Sequence, residues 1–272
     1  MRALLFSVII FCLCCLTACK MRTDKPGIYN NSYLHFTCES GAIVRGDTSK
    51  KELALVFTGD EFADGGEYIL SVLKSHDIYG SFFFTGNFYR DPDFEKLIRS
   101  LLSDDHYLGA HSDKHLLYCD WNNRDSLLVT KKEFMHDLRD NYKVMKKFGI
   151  SKKDAPYFLP PYEWYNDSIS AWTKSLGIQL INYTPGTLSH ADYTIPEMPN
   201  YQGSEIIYQS IINYEKETPN GLNGFILLSH IGTSPERKDK LYYYLDVIIS
   251  ELKSKDYQFK RIDELLSITY HR

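Results

Sequence analysis

Apolar residues along this chain follow two alternating patterns, and the alternation is the first structural signal. Short runs rich in β-branched and aromatic residues recur at 53–57, 81–84, 107–110, 157–159, 179–182, 225–229 and 258–261, and such runs read as strands. Between them, residues 67–75, 92–102, 131–148, 168–176, 204–214 and 238–253 space their apolar side chains three and four apart, as helices do. Thr130 with Glu133 has the form of a capping box, and Asp91-Pro92 and Ser204-Glu205 each place a cap before a first turn. Gly80, Gly149 and Gly177 stand near predicted helix ends. Strict alternation of strand and helix requires parallel strands joined by right-handed crossovers. The pattern therefore predicts an α/β fold, and seven such units suit an incomplete barrel better than the alternative, an open doubly wound sheet.

The first residues change the picture of where the protein works. Residues 3–16 are an apolar run behind a single Arg2, too short at about 1.5 Å per residue to cross a bilayer comfortably as a helix. The run reads as an export signal. It ends in Leu16-Thr17-Ala18-Cys19, which resembles the bacterial lipobox, and that resemblance implies cleavage before Cys19 and lipidation of its thiol. The expected organisation is a signal at 1–18, a lipidated cysteine and tether at 19–35, and a single barrel domain at 36–272, anchored to a bacterial membrane outside the cytoplasm. The competing reading of the N-terminus is an uncleaved anchor. Cys38 and Cys119 remain in the mature domain, where a disulfide and two buried thiols are both compatible with the compartment.

Composition narrows the partners. With 43% apolar and 24% charged residues the chain has what a packed core needs. Without residues 1–18 it carries 30 basic and 35 acidic side chains, a net charge of −5, and no stripe of Lys and Arg. Pairs such as Lys131-Lys132 and Lys146-Lys147 read as solvated helix faces, so nucleic acid is not an expected partner.

In parallel barrels the loops leaving the C-terminal strand ends converge on one mouth. Here those loops hold the unusual residues: Asp60 and Glu61 after the first strand, His111 to His115 after the third, Pro160-Pro161-Tyr162 after the fourth, and His230 at the end of the sixth. Two imidazoles four residues apart plus a carboxylate, as in His111, His115 and Asp60, form a three-donor set that leaves an ion open to water. A pair of histidines at this spacing also occurs commonly as surface or core residues. Trp121, Tyr162 and Trp164 offer flat faces to sugar rings, or pack the core as most aromatics do.

Taken in order, Val56-Phe57-Thr58-Gly59-Asp60, His111-Ser112-Asp113-Lys114-His115, Leu159-Pro160-Pro161-Tyr162 and Leu228-Ser229-His230 resemble the motifs of the polysaccharide deacetylases, the NodB-homology or carbohydrate esterase family 4 group. The resemblance spans about residues 52–265. It implies a deformed (β/α)7 barrel in which Asp60, His111 and His115 hold a divalent metal, zinc first and cobalt or nickel as alternatives. A water on that ion would attack an acetyl carbonyl of an acetylated polysaccharide, His230 would act as general acid, and the Tyr162 amide would donate to the oxyanion.

The chain departs from the family pattern in linked places. Gly59 precedes Asp60 where the family carries the aspartate that serves as base, and Leu159 replaces the arginine that positions that base. An arginine without its carboxylate would be a costly unpaired charge. Residues 181–187 lack the tryptophan and aspartate that usually support the histidine acid. Glu61 is the expected substitute base, with Asp64 on the same loop as the other candidate. The alternative function is a carbohydrate-binding or assembly lipoprotein that kept the barrel and lost catalysis. A two-carboxylate glycosidase fits less well, since Asp60 and Glu61 are neighbours and no second acidic loop faces them.

Overall fold

The computed structural model describes residues 35–267; the export signal and Cys19 lie outside the described residues. The first described element is a hairpin absent from the sequence expectation, β1 (Thr37–Glu39) and β2 (Ala42–Arg45). All seven expected strands follow: β3 (Glu52–Gly59), β4 (Ser81–Phe84), β5 (Tyr107–Ala110), β6 (Tyr157–Phe158), β7 (Gln179–Leu180), β8 (Phe225–His230) and β9 (Gln258–Phe259). They form one parallel sheet in the order β7-β6-β5-β4-β3-β8, with β9 pairing the start of β3. The central strand β3 is hydrogen-bonded on both sides and buried from Leu53 to Gly59, which is why its sequence is a continuous apolar run rather than an alternating one.

The helices are α1 (Gly66–Ser75), α2 (Gly86–Arg90), α3 (Glu95–Ser103), α4 (Lys131–Met145), α5 (Asp167–Ser175), α6 (Ser204–Glu217), α7 (Leu245–Ser254) and α8 (Ile262–Leu265). The Thr130–Glu133 capping box at the start of α4 forms in both directions, and Gly149 takes the left-handed conformation (φ 83°) that ends the following turn. Two local expectations change. The short helix α2 was not legible as a separate element; Thr85 caps it by accepting from the Phe88 amide. Ser204 is the first residue of α6 rather than its cap. The cap is Gly203, and the orphan amide of Ser204 is instead satisfied at 2.5 Å by the carboxylate of Asp239, 35 residues away.

The curled sheet leaves a gap between β7 and β8, and the N-terminal hairpin fills it. Ile43 on β2 bridges Ile181 in parallel, the Asn182 amide donates to the Ile43 carbonyl at 3.0 Å, and Thr184 links Val44 (2.6 Å) to the Ile226 amide of β8 (2.9 Å). These bonds satisfy edge groups that an open sheet would leave exposed. The architecture is the deformed (β/α)7 barrel. Cys119 is a buried free thiol, so the Cys38–Cys119 disulfide does not form.

Candidate active site

The turn after β5 is held by a carboxylate from the helix behind it. Asp137 of α4 accepts hydrogen bonds from Ser112 Oγ (2.7 Å), the amides of Asp113 (3.0 Å) and Lys114 (3.1 Å), and Tyr118 Oη (3.3 Å). That support is needed, because Ser112 (φ 74°) and His115 (φ 53°) both occupy left-handed backbone, which costs a non-glycine residue about 1–3 kcal/mol. The result is a tight loop that turns His111 and His115 toward each other, with ring centroids 5.2 Å apart. His111 Nδ1 lies 2.8 Å from the Leu159 carbonyl; a carbonyl can only accept, so Nδ1 carries the proton and Nε2 keeps its lone pair. Burial holds both imidazoles below the ordinary histidine pKa. For His111 the neighbouring His115 adds to the effect, and for His115 the Asp60 carboxylate opposes it without reversing it.

Asp60 stands one residue beyond β3. Its Oδ2 is 3.9 Å from His115 Nδ1, while Oδ1 accepts from Thr85 Oγ1 at 2.7 Å. The fold thus brings Asp60, His111 and His115 to one corner of the mouth. Two neutral imidazoles, one fixed in its tautomer by a backbone carbonyl, beside a carboxylate form a donor set whose chemistry fits a divalent ion. Its spacing does not: as these side chains stand, no group of three or more His, Cys, Asp or Glu among the described residues is placed to hold a metal. The expected convergence is incomplete: the Asp60 oxygen that faces His115 stays 3.9 Å away, while Thr85 holds the other one.

Across the mouth, His230 ends β8, and its support is present despite the gap at 181–187. Asp192, on the 3-10 turn Ser189–Tyr193, accepts from His230 Nδ1 at 2.6 Å and from the His230 amide at 2.9 Å. Burial opposes charge on His230, but the Asp192 carboxylate outweighs it and the imidazole pKa is raised. Asp192 is 4% exposed and His230 22%, so the pair is anchored inside and open on one side.

The three aromatics proposed for sugar contact meet on one wall. Tyr162 packs 4.4 Å from the His115 ring, Trp121 meets Tyr162 at 5.5 Å and Trp164 at 5.7 Å. Trp121 and Tyr162 are 55% and 44% exposed, a large apolar area to leave in water beside a mouth. Trp164 is held from behind by its indole bond to the Asp120 carbonyl (3.2 Å) and by the Arg124 guanidinium over its ring.

Comparison with known proteins now bears on this geometry. The family model described as polysaccharide deacetylase matches residues 45–181. The chain belongs to the polysaccharide deacetylase family. The peptidoglycan-N-acetylmuramic acid deacetylase PdaA of Bacillus subtilis is 28% identical over 226 residues, covering 83% of this chain and 75% of that protein. The solved structure of PdaA, a family 4 carbohydrate esterase, superposes with a TM-score of 0.63 at 25% identity, over 84% of this chain and 85% of that one. BA3943 of Bacillus anthracis, described as a pseudoenzyme of the same family, shares the fold at 19% identity with a TM-score of 0.63, over 85% of this chain and 70% of that one.

In this polysaccharide deacetylase the missing base has a structural reading. A Cβ at Gly59 would lie within 3.0 Å of Ile231, Phe84 and Phe88, so the position points into hydrophobic packing and not toward the mouth. Thr58 and Asp60, on the other side of the strand, flank it; Thr58, in register with His230, keeps a buried Oγ1 without a partner. Asp64 is not a free base: it pairs with Lys240 (2.8 Å) and accepts from the Thr233 amide (2.8 Å) and Tyr242 Oη (3.0 Å), tying the β3 loop to the β8 loop. Glu61 is exposed at the edge of a cavity of about 780 Å³ shared with Lys238 and Tyr243, and it is close enough to Tyr162 to help raise that phenol's pKa, after burial and Asp60. Two acidic residues that sequence reasoning passed over lie nearer His230. They are Asp192, five residues past the stretch where support was sought, and Glu163, directly after the Pro160-Pro161-Tyr162 motif.

Proposed function

We propose that this deacetylase hydrolyses acetyl groups from N- or O-acetylated polysaccharide, with His230 as general acid and the Trp121–Tyr162–Trp164 wall as the sugar platform. The observation that carries the reading is the His230–Asp192 pair, an imidazole held at 2.6 Å by a buried carboxylate that raises its pKa and open to the mouth, opposite two imidazoles whose pKa burial lowers. In its protonated form the first can donate to a leaving nitrogen or oxygen, and in their neutral form the other two can serve as ligands. Asp60, His111 and His115 have the donor types that would hold a divalent ion once drawn together, zinc first with cobalt or nickel as alternatives, and a bound ion would supply polarisation of the acetyl carbonyl and a lowered pKa for water. PdaA acts on peptidoglycan by its name, and glycan strands carrying N-acetyl groups are the first substrate class for this chain as well. The Leu16-Thr17-Ala18-Cys19 sequence supports action outside the cytoplasm from a lipid anchor at Cys19.

Acetate release from peptidoglycan strands, chitin oligosaccharides and acetylated xylan, with and without a chelator, tests the reading. Turnover that stops on chelation and returns with zinc is the expected result. Metal analysis of purified His111→Ala and Asp60→Ala should show ion content falling from one per chain to near zero; retention of the ion in both variants would remove these residues from the ligand set. Trp121→Ala is expected to raise KM about tenfold with kcat within a factor of about two, since an exposed ring contributes uniform binding. An unchanged KM would return Trp121 to a packing role.

Gly59 and Leu159 favour a second reading, a carbohydrate-binding lipoprotein without turnover. Glycan binding by a protein that releases no acetate from any of these substrates would decide for it.

A further inference from the structure

Glu163 directly follows Tyr162, and the two adjacent residues both hold left-handed backbone, φ 58° and 53°. Neither is glycine, so this conformation persists only because the surroundings impose it. Three contacts do so. The Glu163 amide donates to the Pro160 carbonyl at 3.1 Å and the Trp164 amide to the Pro161 carbonyl at 3.2 Å; from outside the turn, Asn182 Nδ2 donates to the Glu163 carbonyl at 2.9 Å. Asn182 follows β7 and is itself bonded to the β2 strand that closes the barrel. The turn is thereby fastened to the strands around the mouth, and the side chain after Tyr162 lies close enough to His230 and Asp192 for their charges to act on it.

Its charged and titratable neighbours there are His230 on β8, Asp192 on the 3-10 turn and Tyr183 after β7. His230 in turn faces Asp192, Glu163 and Arg237, with His111, His115 and His190 close enough to feel its charge. The arginine that would have tied up a carboxylate is replaced by Leu159, which is fully buried. Asp60 is engaged by Thr85, Asp64 by Lys240, and Glu61 faces solvent.

We propose that Glu163 is the catalytic base of this site and that it works as a coupled pair with His230. The proposal rests on the deacetylase reading above. As the oxygen of water bonds to the acetyl carbon, its O–H bond breaks and the proton goes to Glu163. When the C–N bond breaks, the leaving nitrogen takes the proton of the His230 imidazolium, and acetic acid and the free amine depart. Proton transfer from Glu163 to His230 then restores both groups. Burial, with a contribution from Asp192 that the His230 charge opposes, pushes the Glu163 carboxyl up to about 7, which suits a base that must take a proton from water and then pass it to an imidazole.

The test uses the full-length chain supplied with zinc, and chitin oligosaccharides as substrate. In Glu163→Gln, kcat should fall about 10²- to 10⁴-fold with KM within about threefold. The acidic limb of the kcat/KM profile, expected near 7 in the parent from the raised Glu163 carboxyl, should disappear. Glu163→Asp, which retains a carboxylate, should keep that limb at reduced kcat, and it carries the test if the Gln variant fails to fold. Independently of turnover, NMR titration of the His230 imidazole should shift to lower pH in Glu163→Gln, because a neighbouring negative charge is lost. Unchanged kcat and an unchanged acidic limb in Glu163→Gln would overturn the base assignment, and an unmoved His230 titration would overturn the pairing. A parent protein that releases no acetate while His230 still responds to Glu163 would refute the deacetylase reading and with it the base role, and would uphold the pairing alone.

Discussion

Asp192→Asn is expected to lower kcat by about 10²- to 10³-fold and to move the alkaline limb of the pH–rate profile toward lower pH. The carboxylate does two things for His230: it accepts from the backbone amide at 2.9 Å, which fixes the end of β8, and from Nδ1 at 2.6 Å, which sets the ring tautomer and stabilises its charge. An asparagine can keep the first contact. It cannot supply the charge that outweighs burial and raises the imidazole pKa. In the parent, His230 is protonated below its raised pKa and loses the proton as pH rises through that value, so activity depending on the acid form persists above the ordinary histidine range of about 6.5. In the variant that window closes from the alkaline side. The same sign holds for stability: the pair's contribution is fully present below the unfolded-state pKa and is lost as pH rises through the folded one. Measurement of kcat/KM from pH 5 to 9 for parent and variant decides the point; coincident alkaline limbs would show that Asp192 does not control the acid.

The second large effect concerns the fold of the His111–His115 loop. Asp137→Ala should destabilise the domain by about 3 to 5 kcal/mol, because it removes one acceptor from four donors of which three are buried. Domains of this kind are stable by only about 5 to 15 kcal/mol in total. The loop it supports contains two residues in left-handed backbone, Ser112 and His115, and without the carboxylate their conformation has little to hold it. Ion affinity should therefore fall together with stability, although Asp137 belongs to none of the proposed donors. Urea unfolding monitored by far-UV circular dichroism gives the stability change, and a loss under about 1 kcal/mol would mean that water or a shifted loop satisfies the donors as well.

Much of the barrel could be read without coordinates. Leu53 to Phe57, Ser81 to Phe84 and Phe225 to Ser229 are apolar because parallel strands are covered on both faces, and a composition dictated by burial survives in one dimension. Thr130 and Glu133 formed their box because a cap involves only residues three apart. The same locality made the His111–His115 turn visible as a candidate, since both its imidazoles belong to one short segment.

What the chain order could not show is whatever depends on contacts between distant segments. The hairpin at Thr37–Glu39 and Ala42–Arg45 is a strand pair only because a curled sheet leaves an edge at β7 and β8 for it to occupy. The acceptor for the first amide of α6 is Asp239, and the carboxylate behind His230 is Asp192; neither lies at a spacing that local rules recognise. The face that Gly59 presents was decided by the pleat of β3 against Ile231, Phe84 and Phe88, and not by its place beside Asp60. Local periodicity thus determined which segments are strands and helices and which loops carry the chemistry. Tertiary packing alone decided which carboxylate meets which histidine, because charge, desolvation and hydrogen-bond reach act through space over a few ångströms and take no account of separation along the chain.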